Sequence, residues 1–398
     1  MFYGKSSKIN NNTSPKNQVI SSDSDDVSDN TRAINQIVEL EDEIISLNNQ
    51  IKNLRSYSNE MERAISHYKN FDKNETSDEI SDKHITTDVE YLVLSGGGIK
   101  GICHCGSLLE LDGMNKLFDV NSKLKLKGVC GVSAGSIVAS LLAIGYTPKE
   151  ILAIVEEIDF EQIADDQPGY IRDTINFVKN WGICKGIYIQ ELMKKLIEVK
   201  TGNPNYTIDD LYKDKGISLV IVATNLTRKR SIYFHPNHPT YFDLPIYQAV
   251  RMSMSIPFLF EPFIYQSEYW ADGGLLDNYP IHVFDGAYPG DPHAKANLAD
   301  INKKVLGIKI ETNKSIEISQ DIVVDPINDI GEYCLSYVET FLYENDEQYR
   351  NINAKVRTIV NVTPDYPLTK FAIVTKEKDE LLDIGRVGVK AYFGRQGH

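Results

Sequence analysis

Three glycine-rich motifs occur in a fixed order along the chain, and each follows an apolar or aromatic stretch. They cover residues 95–101 (SGGGIKG), 131–135 (GVSAG) and 272–274 (DGG). Glycine lets a backbone turn sharply and lets another chain segment approach closely. The pattern therefore indicates tight turns at the ends of buried strands, where backbone N–H groups and single side chains can be presented to a ligand.

Apolar runs alternate with helix-forming stretches from residue 91 onwards. We predict strands over 91–94, 124–130, 218–223, 231–234, 305–310 and 356–362. We predict helices over about 101–112, 134–144, 148–158, 189–199, 245–254, 326–345 and 376–392. Strands that alternate with helices imply a mainly parallel sheet covered by helices on both faces. The expected fold class is α/β.

The first 88 residues have a different character. Residues 1–32 are polar and acidic, with too few apolar side chains to form a core, so we expect disorder. Over 33–70, Ile and Leu recur three and four residues apart, which favours a two-stranded coiled coil and a homodimer. A single amphipathic helix packed on the main domain would show a similar stripe. The predicted remainder is a linker (71–88), a main domain (89–311) and a C-terminal α/β extension packed on it (312–398).

Composition excludes several classes of function. The formal net charge of −14 argues against nucleic acid as a partner, because phosphate binding needs a basic surface. The N-terminal residues lack the apolar core of a secretory signal, and no run of about 18 apolar residues occurs. We therefore expect a cytoplasmic protein that contacts membranes only peripherally. The cysteine, histidine and acidic residues do not cluster at ligand spacings, so we expect no metal and no cofactor.

The first glycine motif has three possible uses. Gly96, Gly98 and Gly101 match a dinucleotide-binding pattern, which also needs an acidic residue at the end of the second strand. That predicted strand runs directly into Gly131 instead. Alternatively, the N–H groups of Gly97 and Gly98 could stabilise an oxyanion. A tight turn with no ligand is the third possibility.

The second motif fits a nucleophile elbow. Ser133 lies between a predicted strand and a predicted helix, the context in which a G-x-S-x-G serine is exposed on a sharp turn. Gly131 and Gly135 leave room for that turn. The first N–H groups of the following helix would favour the same oxyanion.

The base that would activate Ser133 is less clear from the residues alone. Asp272, followed by Gly273 and Gly274, could approach the serine closely, although such an Asp is commonly just a turn residue. The order Ser133, Asp272, His282 matches that of an α/β-hydrolase triad. His282 follows Asp272 by only ten residues, however, which argues against a triad.

Taken together, the three motifs resemble the patatin-like phospholipase family. The resemblance covers about residues 90–305 and includes 249–258 (AVRMSMSIPF) and 272–280 (DGGLLDNYP). It implies a Ser133–Asp272 dyad without a catalytic histidine, acting on acyl esters of lipids. It also implies oxyanion donors at Gly97 and Gly98, and places Lys100 where the family carries Arg or Lys.

The sequence thus predicts a serine hydrolase of lipid carboxylic esters whose partner is a membrane phospholipid or another lipid ester. The apolar stretch 257–265 could wall an acyl pocket, face the membrane or form ordinary core. A catalytically idle adaptor that acts through the coiled coil is the alternative from another class of function. A triad esterase that uses His282 is the alternative within the enzyme class.

Overall fold

The computed structural model describes residues 88–164, 179–285, 301–312, 327, 330–344 and 352–394. The predicted tail (1–32), the coiled coil (33–70) and all of the linker except Asp88 lie outside the described residues. The coiled coil and the homodimer it would form stay predictions. The boundaries of the main domain and of the C-terminal extension also stay predictions.

The described strands are β1 (Tyr91–Leu94), β2 (Gly128–Val132), β3 (Gly182–Cys184), β4 (Ser218–Asn225), β5 (Arg230–Phe234), β6 (Phe258–Phe260), β7 (Phe263–Tyr265), β8 (Glu268–Asp272), β9 (Val305–Thr312) and β10 (Thr358–Thr363). The central sheet has the order β10-β9-β1-β2-β4-β8-β7, with β5 also paired to β4. Neighbours from β10 to β4 run parallel, whereas β8, β7 and β5 add antiparallel pairs. The predicted mainly parallel α/β fold is confirmed.

The described α-helices are α1 (Ile102–Gly113), α2 (Ala134–Ile144), α3 (Pro148–Glu157), α4 (Ile187–Thr201), α5 (Ile208–Lys215), α6 (Ile246–Ser253), α7 (Ile330–Glu344), α8 (Ile352–Lys355) and α9 (Thr375–Gly394). Local signals explain several boundaries. Gly145 at φ 107° ends α2, because a residue without Cβ adopts this conformation readily. Thr147 and Glu150 form a capping box that starts α3.

The sheet is buried on both faces. Along β1, Leu92 and Leu94 belong to the larger core cluster, which includes the buried residues of α1 and α2. Val93 points to the opposite face and joins a smaller cluster that includes Tyr279 and Ile281. Alternation of this kind follows from the two-residue period of a strand. The carboxyl ends of the parallel strands lie side by side at one edge of the sheet. The first two glycine motifs are located there, at the ends of β1 and β2.

Helices α1 and α9 pack closely because glycine occurs in both. A Cβ at Gly385 would overlap the carbonyl oxygen of Cys103, and one at Gly106 would overlap that of Leu382. The Ser107 hydroxyl donates to the Gly385 carbonyl at 3.1 Å. The last described helix is therefore locked onto the helix that follows the first glycine motif.

We expect Gly385→Ala to destabilise the protein by about 1–3 kcal/mol or more, since overpacking forces the two backbones apart. Gly113→Ala, at the end of α1, is the matched control because a Cβ there meets nothing within 4 Å. Chemical denaturation measures both variants. Equal stability of the two would contradict the close α1–α9 contact.

Candidate active site

Ser133 occupies a strained turn between β2 and α2. Its backbone has φ 51° and ψ −127°, a combination that a residue with a side chain rarely adopts. The flanking glycines make the turn possible: a Cβ at Gly131 would overlap the Gly135 carbonyl, and one at Gly135 would lie 2.5 Å from the Ser95 carbonyl oxygen. The side chain of Ser133 is buried, so only a small part of it faces solvent.

A second serine, Ser253, supports this turn through two hydrogen bonds. The Ser133 N–H donates to Oγ of Ser253 at 2.8 Å, and that hydroxyl donates to the Val222 carbonyl at 2.6 Å. Ser253 is fully buried at the end of α6. It therefore ties the elbow to β4. Ser253 was not among the sequence-predicted site residues, because it lies 120 positions from Ser133.

Asp272 is the last residue of β8 and is completely buried. Its N–H donates to the Ser255 carbonyl at 2.8 Å, and its own carbonyl accepts from the Thr224 hydroxyl at 2.8 Å. Oδ1 accepts from the Gly274 N–H at 2.8 Å. A Cβ at Gly273 would overlap the Val222 carbonyl, so glycine is needed there for the loop to close on β4.

The Asp272 carboxyl is close to Ser133, and its surroundings shift its pKa. Burial raises its pKa to about 7, while the nearby Ser133 hydroxyl and the Gly274 N–H act in the opposite direction. Oδ2 nevertheless makes no hydrogen bond of normal geometry. Ser133 and Asp272 are therefore neighbours whose hydrogen bond is not fully formed. Such bonds commonly tighten only when a substrate is bound.

The first glycine motif lies beside the elbow, since Leu94 of β1 pairs with Gly131 of β2. A Cβ at Gly96 would lie 3.2 Å from Cβ of Ser133. Gly98 adopts φ 55°. Within the described part of the chain, the N–H groups of Gly97 and Gly98 donate to no acceptor. These donors are available to an anion formed near Ser133.

Two further residues of this motif, Lys100 and Gly101, are buried. A Cβ at Gly101 would lie 2.8 Å from Cβ of Ala134, so glycine lets the two turns touch. Lys100 is buried, and burial lowers the pKa of its ammonium group. The carboxylates of Asp365 and Glu339 favour its charged form.

The structure does not bring a described histidine to the pair. His282 Nε2 lies 3.9 Å from Oδ2 of Asp277, and neither Ser133 nor Asp272 hydrogen-bonds to a histidine among the described residues. His104 is fully buried, and its Nε2 contacts the Ser95 carbonyl at 2.9 Å. Burial lowers the pKa of His104 to about 4, so the ring is neutral and serves a structural role.

A pocket of about 510 Å³ lies next to the strand that carries Asp272. Its lining is largely apolar and aromatic: Trp181, Leu226, Thr227, Ser255, Pro257, Phe258, Phe260, Pro262, Tyr269 and Ala271. Residues of the apolar stretch 257–265 differ in their surroundings. Leu259 is buried in the core, whereas Ile264 is 60% exposed. Residues of this stretch thus line a pocket and also form ordinary core, and an acyl chain as the occupant of that pocket stays a prediction.

Helix α7 covers the third glycine motif. The Asn278 side chain donates to the Leu342 carbonyl at 3.2 Å, and a Cβ at Gly274 would lie 2.7 Å from the Leu342 side chain.

In the described ranges, no group of His, Cys, Asp and Glu side chains is arranged to hold a metal ion. None of the helices within those ranges is both long and apolar enough to cross a membrane.

Comparison with known proteins identifies the family. The family model described as patatin-like phospholipase matches residues 92–285, the part of the chain that carries all three motifs. Uncharacterized protein R571 of Acanthamoeba polyphaga mimivirus is 30% identical over 323 residues, which is 80% of this chain and 97% of that protein. This chain belongs to the patatin-like phospholipase family.

Other relatives of this patatin-like chain match less of it. Probable lipid hydrolase 463L of Invertebrate iridescent virus 6 is 30% identical over 193 residues, which is 48% of this chain and 62% of that protein. Among solved structures, VipD from Legionella pneumophila is 20% identical, with a TM-score of 0.48 over 78% of this chain and 68% of that one.

We expect Ser253→Ala to cost about 1–3 kcal/mol of stability, because the buried Ser133 N–H would lose its acceptor. The rate at which Ser133 reacts with a fluorophosphonate should fall about tenfold or more, since the elbow would lose its support from β4.

Ser140→Ala is the matched control, because Ser140 is also fully buried but its hydroxyl makes no hydrogen bond. Thermal unfolding and labelling rates measure both variants. If the two alanine variants behaved alike, Ser253 would not position Ser133.

Proposed function

We propose that this protein hydrolyses acyl esters of lipids through a covalent acyl-enzyme on Ser133, with Asp272 as the base. The observation that carries the proposal is the proximity of a serine on a strained elbow to a buried carboxyl whose pKa is raised to about 7. The lipid class of the substrate is supported by the family and by the name of the viral relative 463L. The largely apolar pocket beside β8 also supports it.

In the first half of the proposed reaction, the Asp272 carboxylate takes the hydroxyl proton of Ser133 while Oγ bonds to the ester carbonyl carbon. The carbonyl oxygen becomes an oxyanion that accepts hydrogen bonds from the N–H groups of Gly97 and Gly98. When the tetrahedral intermediate collapses, the ester C–O bond breaks and the leaving alcohol takes the proton from Asp272. An acyl group then remains on Oγ of Ser133.

In the second half, a water molecule gives a proton to Asp272 as its oxygen attacks the acyl carbon. The same glycine N–H groups hold the new oxyanion. Collapse then breaks the bond between the acyl carbon and Oγ, and Ser133 recovers its proton from Asp272. The products are a carboxylic acid and the alcohol released earlier.

Burial explains how a carboxylate can act as this base. An ordinary Asp has a pKa of about 3.9 and attracts a serine proton only weakly. Because burial raises the pKa of Asp272 to about 7, the carboxylate holds a proton more tightly yet is still available near neutral pH. The Gly274 N–H keeps Oδ1 occupied, which leaves Oδ2 for Ser133.

We expect a fluorophosphonate to label the wild-type protein, and Ser133→Ala to abolish the labelling. Asp272→Asn should slow it by about 10²–10⁴, the usual contribution of a general base. His282→Ala is the control for the triad alternative and should keep most of the rate. Mass spectrometry of the labelled peptide identifies the modified residue. Absence of labelling in the folded wild type would favour the idle adaptor.

The labelling rate should also depend on pH. Asp272 is protonated below its pKa and active as a base above it, so the rate should rise with a midpoint near pH 7. Asp272→Asn removes the ionising group and should flatten this profile. A wild-type midpoint near 4, the ordinary value for Asp, would contradict the assignment of Asp272 as the buried base.

A further inference from the structure

One patch of the surface joins exposed apolar side chains to consecutive basic ones. Trp181 is 56% exposed and Leu226 is 42% exposed, and both line the 510 Å³ pocket beside β8. The turn that follows Leu226 carries Arg228 and Lys229, and Arg230 begins β5; all three are exposed. We refer to Trp181, Leu226, Tyr269 and residues 228–230 together as the tryptophan surface.

Direct contacts fix the parts of this surface to one another. The rings of Trp181 and Tyr269 lie 5.6 Å apart between centroids. The Leu226 N–H donates to the Tyr269 carbonyl at 2.9 Å, and the Tyr269 N–H donates to the Thr227 hydroxyl at 2.9 Å. The aromatic residues, the exposed leucine and the basic turn therefore form one continuous feature.

The charge of this surface is opposite to that of the protein. The whole chain carries a formal net charge of −14, whereas residues 228–230 are three basic residues in a row. Arg228 is paired with Glu268 at 2.6 Å, but Lys229 and Arg230 form no ion pair within the described residues. The carboxylate of Glu261 accepts a hydrogen bond from the side chain of Asn180, which directly precedes Trp181, at 2.8 Å.

The backbone is strained where this surface displays its side chains. Trp181 has φ 61° and Phe258, on the same pocket, has φ 67°. They are the two aromatic residues with positive φ in the described part of the chain, and bulky residues rarely adopt this conformation. Lys229, at the tip of the turn, has φ 56°. Strain of this kind tends to occur where function requires a particular geometry.

We propose that the tryptophan surface docks the protein on a membrane that contains anionic lipid. Trp181 and Leu226 enter the interfacial layer, while Lys229 and Arg230 contact the negatively charged head groups. Indole rings are enriched at this depth of a bilayer, and basic side chains beside apolar ones are typical of proteins that bind its surface. An anionic polymer such as nucleic acid would account for the basic turn but not for the apolar pocket.

The position of the pocket connects this surface to the proposed chemistry. Ser255 and Ala271 line the pocket. Ala271 directly precedes Asp272, and the Ser255 carbonyl accepts the Asp272 N–H at 2.8 Å. The docking proposal rests on the proposed lipid hydrolase function for its choice of a lipid partner. A protein docked here would hold its proposed base close to the membrane.

The two tryptophans of the chain allow a direct test. Trp270 is fully buried, so a change in the polarity of the surroundings on vesicle binding would alter the emission of Trp181. We expect a blue shift of tryptophan emission with phosphatidylcholine vesicles that contain phosphatidylserine, and little shift with phosphatidylcholine alone. Trp181→Phe should remove the shift while the protein still floats with the anionic vesicles. Persistence of the full shift in Trp181→Phe would overturn the proposal.

The basic turn is tested by Lys229→Gln combined with Arg230→Gln. Vesicle partitioning should fall by about 30-fold, at roughly fivefold for each basic side chain near an anionic surface. Lys123→Gln combined with Lys303→Gln is the matched control, because both residues are exposed and precede β2 and β9 at the opposite edge of the sheet. It should change partitioning by less than about twofold. Equal effects of the two double variants would overturn the proposal.

The docking proposal and the proposed function can fail separately. Ser133→Ala, which the proposed function makes inactive, should bind anionic vesicles like the wild type. A folded wild type that neither reacts with a fluorophosphonate nor cleaves any ester would remove the proposed function and leave the vesicle result standing. Conversely, a wild type that cleaves water-soluble esters but does not bind anionic vesicles would remove only the docking proposal.

Discussion

The candidate site depends on how closely three backbone turns approach one another at one edge of the sheet. The turn after β1, the elbow after β2 and the loop after β8 touch through glycines at which a Cβ would overlap or crowd a neighbour, such as Gly96, Gly101 and Gly135. Without these contacts, the turns that carry Ser133 and Asp272 would lie farther apart. The glycines thus act through the backbone distances they permit, and the chemistry of the serine and the carboxyl follows from that proximity.

Much of the fold could be predicted because its signals are local. The strand at 91–94 and the helix at 134–144 were found at the predicted residues, since continuous apolar runs and glycine ends mark them. Helix α5 was not predicted, although Thr207 and Asp210 form a capping box at its start. The hairpin of β7 and β8 was also not predicted. Its turn residues, Gln266 and Ser267, have positive φ but are not the Asn or Gly that marks such a turn in a sequence.

The site was predictable only in part, for a different reason. Ser133, Asp272 and the glycine loop could be chosen because each lies in a short motif. The support from Ser253 comes from a residue far away in sequence, and no local pattern reveals it. The pKa of Asp272 is equally hidden, because a D-G-G motif does not say whether its carboxyl will be buried. Residue types can be recognised in a sequence, whereas desolvation and distant hydrogen bonds emerge only from the folded arrangement.

The contact between α1 and α9 also has a consequence for the order in which the molecule can assemble. Strand β1 lies between β2 and β9, and α1 is locked against the last described helix. The glycine loop joins β1 to α1, so its surroundings are incomplete until the segment that carries α9 has been synthesised. Contacts between residues so distant in sequence slow folding. A chain shortened before residue 385 would lack the glycine against which α1 packs, so the glycine loop would keep an incomplete set of neighbours.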